Sequence, residues 1–170
     1  MGMNREDGTP EPQEGAAFLL ARLGSHAARV FAARIAELDL TPPLAGLLRL
    51  LASSPGLSQR ELADDLGTPP SRFVALADTL EERGLIERRR NHSDRRLYAL
   101  HLTQQGAKLL ADLRTKGAAH ERQICQALSP DEHRQLGTLL GRMAEHQGLS
   151  HGIHPGYRWI RTNHMQRPGN

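Results

Sequence analysis

Five arginines, Arg88, Arg89, Arg90, Arg95 and Arg96, fall within ten residues and face only two carboxylates there, Glu87 and Asp94. This short segment carries a local charge of +3, equal to the net charge of the whole chain. Lys108 and Lys116 are the only lysines, so the cationic chemistry of the chain is arginine chemistry. Arginine's planar fork suits phosphate oxygens and guanine edges; the same residues scattered over solvated faces would reflect composition alone. Their location decides between these readings. Asn91, His92, Ser93 and Asp94 form a turn-prone run between the arginines, and Tyr98, Leu100 and Leu102 follow at a period of two. Together they predict a small β-hairpin with an arginine-rich tip.

Other chemistry is thinly represented. The chain has no glycine-rich phosphate loop and no H-E-x-x-H, and its carboxylates are interspersed with arginines as on solvated helix faces. It is therefore not expected to be an enzyme. Cys125, the single cysteine, excludes an internal disulfide framework and a cysteine-based zinc finger. It reads either as a small apolar packing residue or as a redox centre, and the second would need a depressed pKa, with Arg122 as the nearby cation. His146, His151 and His154, with Glu145, read either as a metal-sensing group or as solvated tail histidines. Their spacing matches no closed zinc signature, so no metal or cofactor is assigned.

The elements that must position the arginines are mostly helical. A chain of 170 residues, 38% hydrophobic with 16 glycines, can build one core of ordinary size. No apolar run approaches the ~20 residues of a membrane span, and Glu6, Asp7, Glu11 and Glu14 make the N-terminus unlike a signal peptide. A cytoplasmic protein with no membrane partner is expected. Leu20, Leu23, Ala27, Val30, Phe31, Ile35 and Leu38 recur at helical steps and predict a first helix over 16–38. Thr41 as N-cap before Pro42, then Leu44, Leu47, Leu48 and Leu51, predict a second helix over 42–53. Ser58 and Glu61 form a capping box with Leu57 and Leu62 as its hydrophobic staple, opening a third, short helix that Gly67 closes. Thr68, Pro69 and Pro70 start a fourth helix with Phe73, Leu76, Ala77 and Leu80 on its apolar face and Gly84 at its end. Thr103 caps a fifth helix reaching Leu128, with Gly106 and Gly117 as weak points, and Ser129 and Glu132 form a second capping box opening a sixth. That last helix carries the stripe Leu136, Leu139, Leu140 and Met143.

Two short helices joined by a glycine-containing turn and followed by a basic hairpin make a winged helix-turn-helix. On the fourth helix, Ser71, Arg72, Ala75 and Thr79 project away from Phe73, Ala77 and Leu80, giving a polar face that a major groove can receive. The candidate DNA-contacting residues are Thr68, Pro70, Ser71, Arg72 and Thr79 here, with Arg88, Arg89, Arg90, Asp94, Arg95 and Arg96 in the hairpin. The fold class is mainly α with a β-hairpin wing. Residues 1–14 are expected as a disordered N-terminal tail, 15–41 as an N-terminal dimerisation helix and 42–102 as the DNA-binding region. C-terminal dimerisation helices are expected over 103–148 and a tail over 149–170. The same fold also serves as a protein-interaction module without operator binding, and a steep salt dependence of duplex binding separates the two.

The run from Leu57 to Ala63, the segment Leu80-Glu81-Glu82-Arg83-Gly84-Leu85-Ile86-Glu87-Arg88, the triplet Asp94-Arg95-Arg96, and Leu102-Thr103-Gln104-Gln105-Gly106 together resemble the MarR family of bacterial transcriptional regulators. The resemblance covers residues 15–147. It implies a homodimer paired through the first, fifth and sixth helices, each subunit reading half of a pseudo-palindrome on double-stranded DNA, more often as a repressor. It also implies that Arg96 enters a minor groove, oriented by Asp94 of the D-x-R motif, and that a small aromatic or phenolic anion acts as effector. A narrow, electronegative A·T groove suits such an arginine. Ala75 stands where many members carry a polar or basic residue, so base reading leans on Ser71, Arg72 and Thr79. The first helix lacks the reactive cysteine of the family's peroxide sensors.

Overall fold

The computed structural model describes residues 14–90 and 98–149. In chain order it comprises α1 (Ala16–Ala36), α2 (Pro42–Ser53), α3 (Gln59–Asp65), α4 (Pro70–Glu82), β1 (Ile86–Arg90), β2 (Tyr98–Leu102), α5 (Gln104–Ile124) and α6 (Pro130–His146). This is the expected mainly helical architecture with one two-stranded antiparallel hairpin. No helix among the described residues is long and apolar enough to cross a membrane.

Local chemistry accounts for most boundaries. At α3, Ser58 Oγ accepts from the Glu61 N–H and Glu61 returns a bond from the Ser58 N–H, the predicted capping box. Ser129 and Glu132 repeat it at α6. Thr41 occupies the N-cap of α2 without a side-chain bond, and Pro42 at the first turn sets the entry instead. Two ends differ from expectation. α1 stops at Ala36 because the chain turns over the next residues, with Asp39 at φ 53°, a left-handed conformation that aspartate tolerates. α5 ends at Ile124, short of Leu128: Cys125 takes the C-cap and its carbonyl accepts the Leu128 N–H in a tight turn.

The core centres on α2, whose Leu47 and Leu48 are fully buried. Around it lie Ile35 of α1, Leu62 of α3, Phe73, Ala77 and Leu80 of α4, Ile86 and Leu100 of the hairpin, and Leu110 and Leu113 of α5. β1 and β2 pair from Ile86 opposite Leu102 to Arg90 opposite Tyr98. The expected alternation of β2 holds in part: Leu100 is fully buried and Leu102 packs against the core, but Tyr98 is exposed beyond its edge. Ala99, on the opposite face, is buried beside an antiparallel bridge to Ser58. Arg83 donates to the carbonyls of Asp39 and Leu38, tying the end of α4 to the α1–α2 connection.

Three carboxyls are held below their ordinary value of 4.5: Glu61 and Glu132 by hydrogen bonds to Ser58 and Ser129, and Glu37 by the hydrogen bond and charge of Lys116. Their folded pKa values lie below the unfolded ones, so their stabilisation is complete above the unfolded value and disappears as pH falls through the folded one. The melting temperature is therefore expected to fall as pH drops below the ordinary carboxyl value of 4.5, and the Glu61→Gln/Glu132→Gln double variant to show a shallower fall. Equal falls in parent and variant would remove the capping boxes from the acid response.

Candidate nucleic-acid interface

The α3–turn–α4 unit presents α4 to solvent along one side. Gly67, at φ +57°, makes the turn between the helices and Gly84, at φ +66°, closes α4 before the wing. Burial of Phe73, Ala77 and Leu80 leaves Ser71, Arg72, Ala75 and Thr79 exposed, so these four share the outward side assigned to them by helical periodicity. Pro70 is exposed at the first helical position. Thr68 lies apart from this group: it is 8% exposed, and its hydroxyl donates to the Leu66 carbonyl inside the turn.

The face has a particular donor inventory. Neither Pro69 nor Pro70 carries an N–H, which thins the backbone donors at the α4 N-terminus and leaves the polar contacts there to Ser71 and Arg72. Thr79 donates its hydroxyl to the Ala75 carbonyl at 2.8 Å. Its outward chemistry is thus a hydroxyl acceptor and a methyl group, the latter suited to a thymine methyl. Val74, 41% exposed on the same helix, adds a second apolar group to this face. Sequence reasoning missed it, although a valine outside the apolar stripe of a helix is a visible signal.

The hairpin arginines divide into different roles. Arg88, only 23% exposed, pairs through its two terminal nitrogens with Asp78 and Glu81 of α4. It clamps β1 to α4 with its charge neutralised. Arg89 pairs with Glu87 at the surface. Arg90 is exposed at the end of β1, opposite Tyr98. Asp94, Arg95 and Arg96 lie outside the described residues, as do His151 and His154 of the histidine group.

A cavity of about 640 Å³ opens between α1, α2 and α5. Its walls include Ala27, Phe31, Leu110, Leu113 and Gly117, with Arg49, Arg114, His120 and Glu121 as polar members. The rings of Phe31 and His120 approach to 5.4 Å at a tilt of 54°. No sequence pattern marked these residues, because a helical stripe looks the same whether it lines a core or a cavity. Cys125 is half-buried, and burial, followed by the charge and hydrogen bond of Glu121, pushes its thiol up. That is the opposite of what a redox-active thiolate needs.

A family model described as the MarR family matches residues 38–97, from just before α2 to the residue before β2. An inferred transcriptional regulatory protein for the hcr operon of Thauera aromatica is 38% identical over 125 residues, 73% of this chain and 74% of that protein. Among solved structures, the transcriptional repressor CouR bound to a 23-mer DNA duplex is 33% identical, at a TM-score of 0.67 over 84% of this chain and 99% of that one. CouR from Rhodococcus jostii RHA1 bound to p-coumaroyl-CoA is 28% identical, at a TM-score of 0.64 over 77% of this chain and 92% of that one.

Proposed function

The chain belongs to the MarR family of transcriptional regulators, and on that premise we propose that it binds DNA as a homodimer at an inverted repeat and represses transcription until an aromatic anion releases it. The observation that carries this reading is the exposed side of α4, with Ser71, Arg72, Val74, Ala75 and Thr79 facing solvent beside a wing strand locked to the same helix by Arg88. In this account α4 enters a major groove, and Arg96, oriented by Asp94, enters the adjacent minor groove. Arg90 and Arg95 face the phosphates.

Dimerisation is supported by apolar surface that one chain leaves uncovered. Phe18, Leu19 and Leu23 of α1 and Leu136, Leu139 and Met143 of α6 are exposed, and α6 contributes no buried residue at all. Helical stripes of this kind are stable in water only when a partner covers them, and a second copy offers the same two stripes under two-fold symmetry. Such a dimer seated on a promoter excludes polymerase, the physical basis of repression.

The effector reading rests on the cavity. Phe31 and His120 offer ring contacts, while Arg49 and Arg114 offer guanidinium groups to a carboxylate. An aromatic carboxylate fits this chemistry, and the p-coumaroyl-CoA bound by CouR carries an aromatic acyl group of the same class. Because the cavity lies between α5, which would belong to the dimer, and α2, which supports α3 and α4, a ligand there can bias the angle between the two reading helices.

Selection from a random duplex library tests the proposal. The parent chain is expected to recover inverted repeats with half-sites roughly 10 base pairs apart, and Arg72→Ala to lose preference at one base position per half-site. Direct repeats, unsymmetrical sites or no enrichment would overturn the dimeric reading; unchanged preferences in the variant would remove Arg72 from base recognition.

The paired and exposed arginines are distinguished by salt. Arg90→Ala is expected to lower the slope of log affinity against log salt by about one, as loss of a phosphate contact does. Arg88→Ala is expected to weaken binding with little change in slope, because its charge is already spent on Asp78 and Glu81. A slope change of about one for Arg88→Ala would instead assign it to phosphate.

A further inference from the structure

At the junction of α5 and α6 three different metal-ligating side chains converge. Glu121 and Cys125 stand one helical turn apart on α5 and its C-cap, and His133 reaches back from the first turns of α6. Glu121 Oε1 lies 2.7 Å from His133 Nε2, and the Cys125 thiol donates to that same oxygen across 3.7 Å. All three ligand atoms lie within 4.8 Å of one another. From this arrangement we infer that Glu121, Cys125 and His133 form a zinc(II) site that fastens α6 to α5.

Geometry and donor chemistry both suit zinc. Zn–O and Zn–N bonds of about 2.0 Å and a Zn–S bond of about 2.3 Å, set tetrahedrally, require edges of about 3.3 Å between O and N and about 3.5 Å between S and O. The observed O–N distance of 2.7 Å is shorter and the S–O distance of 3.7 Å slightly longer than these edges, and with all three atoms within 4.8 Å of one another, rotations of the Glu121, Cys125 and His133 side chains bring them to coordination distance. A thiolate, an imidazole and a carboxylate make a borderline set that favours zinc over magnesium or calcium, which take oxygen. The two anionic ligands balance the dication, and a solvent molecule completes the fourth position. Binding replaces the S–H bond of Cys125 with a Zn–S bond and releases that proton to solvent, while His133 coordinates as the neutral imidazole.

The location gives the metal a mechanical role. α6 has no buried residue of its own, so its angle to α5 depends on few fixed contacts. A metal bridge replaces the weak S–H and imidazole hydrogen bonds to Glu121 with three coordinate bonds. The site stands on its own geometry, independent of the operator-binding reading.

The test uses the full-length chain, stripped of metal by a chelator and exchanged into metal-free buffer, with zinc chloride or cobalt(II) chloride as the only probe. Titration is expected to saturate at about one zinc per chain, and cobalt to give the near-ultraviolet charge-transfer band that reports a thiolate ligand. Removing even an outer-shell partner costs a metal site about 10- to 100-fold in affinity, so Cys125→Ser and His133→Gln are each expected to cost at least that. Cys125→Ser should also abolish the cobalt band, whereas His133→Gln should weaken the metal without removing the thiolate signature. Unchanged helicity by circular dichroism shows that the variants remain folded. No zinc uptake by the parent, no thiolate band, or affinity unchanged in both variants would overturn the site. The last outcome would assign the metal to other histidines.

Discussion

Replacing Leu139 by aspartate is expected to leave the chain folded, monomeric and unable to hold its operator. Leu139 is 46% exposed on α6, and Met143, one turn on, is 49% exposed, so neither contributes to the intramolecular core. Full burial of such a side chain gives roughly 1.5–3 kcal/mol, of which about half remains to be gained at an interface. Two-fold symmetry counts that half twice, giving roughly 1.5–3 kcal/mol per dimer from transfer alone. The substituted carboxylates add several kcal/mol more, because each must lose its water against an apolar partner or keep the interface apart. Dimer affinity should therefore fall by at least about a thousandfold. Sedimentation at micromolar concentration should find a monomer with parental helicity and no operator binding. A variant that remains dimeric would remove this face of α6 from the interface.

The second large effect is expected at Gly106. A Cβ at this position would stand 1.9 Å from the Leu85 carbonyl oxygen and 2.9 Å from its carbon, with Leu102 Cδ2 at 3.3 Å on the other side. The obstacle is backbone already committed, since that carbonyl accepts the Thr103 N–H at 3.1 Å. Helix propensity alone favours alanine over glycine by about 1 kcal/mol. Overpacking costs typically 1–3 kcal/mol and more when backbone must move, so the close approach wins. Gly106→Ala should lower stability by about 2–3 kcal/mol, and Gly117→Ala, where nothing lies within 4 Å, should raise it slightly. Chemical denaturation of both variants checks the pair, and a stabilised Gly106→Ala would contradict the contact.

Gly106 also marks where the sequence becomes illegible. Propensity made both glycines of α5 look like weak points, because it is a local quantity and the contact with Leu85 is not. Features set by neighbours along the chain were readable: both capping boxes, the glycine closures at Gly67 and Gly84, and the outward side of α4. Features that depend on packing between elements were not. The clamp of Arg88 on Asp78 and Glu81 joins residues of different elements, and its arginine is indistinguishable in sequence from those of the tip. The stripe of α6 was legible as apolar, and as more apolar face than one small winged helix can cover, and its Leu136, Leu139 and Met143 are exposed. The cavity between α1, α2 and α5, and the convergence of Glu121 and Cys125 on His133 across the α5–α6 turn, arise only when the helices are set against one another.

The central claim is that one homodimer reads two half-sites. Its most direct test is a titration of the parent chain against three fluorescent duplexes over a salt series from about 50 to 200 mM. One carries the selected inverted repeat, one has a single half-site scrambled, and one has both scrambled. One dimer per duplex is expected on the intact repeat, with log affinity falling linearly and steeply with log salt. Scrambling one half-site should cost several kcal/mol, since each mismatched base pair costs roughly 1–3 kcal/mol, and scrambling both should leave only weak non-specific binding. Equal affinity for all three duplexes, one monomer on an isolated half-site, or binding indifferent to salt would contradict the account.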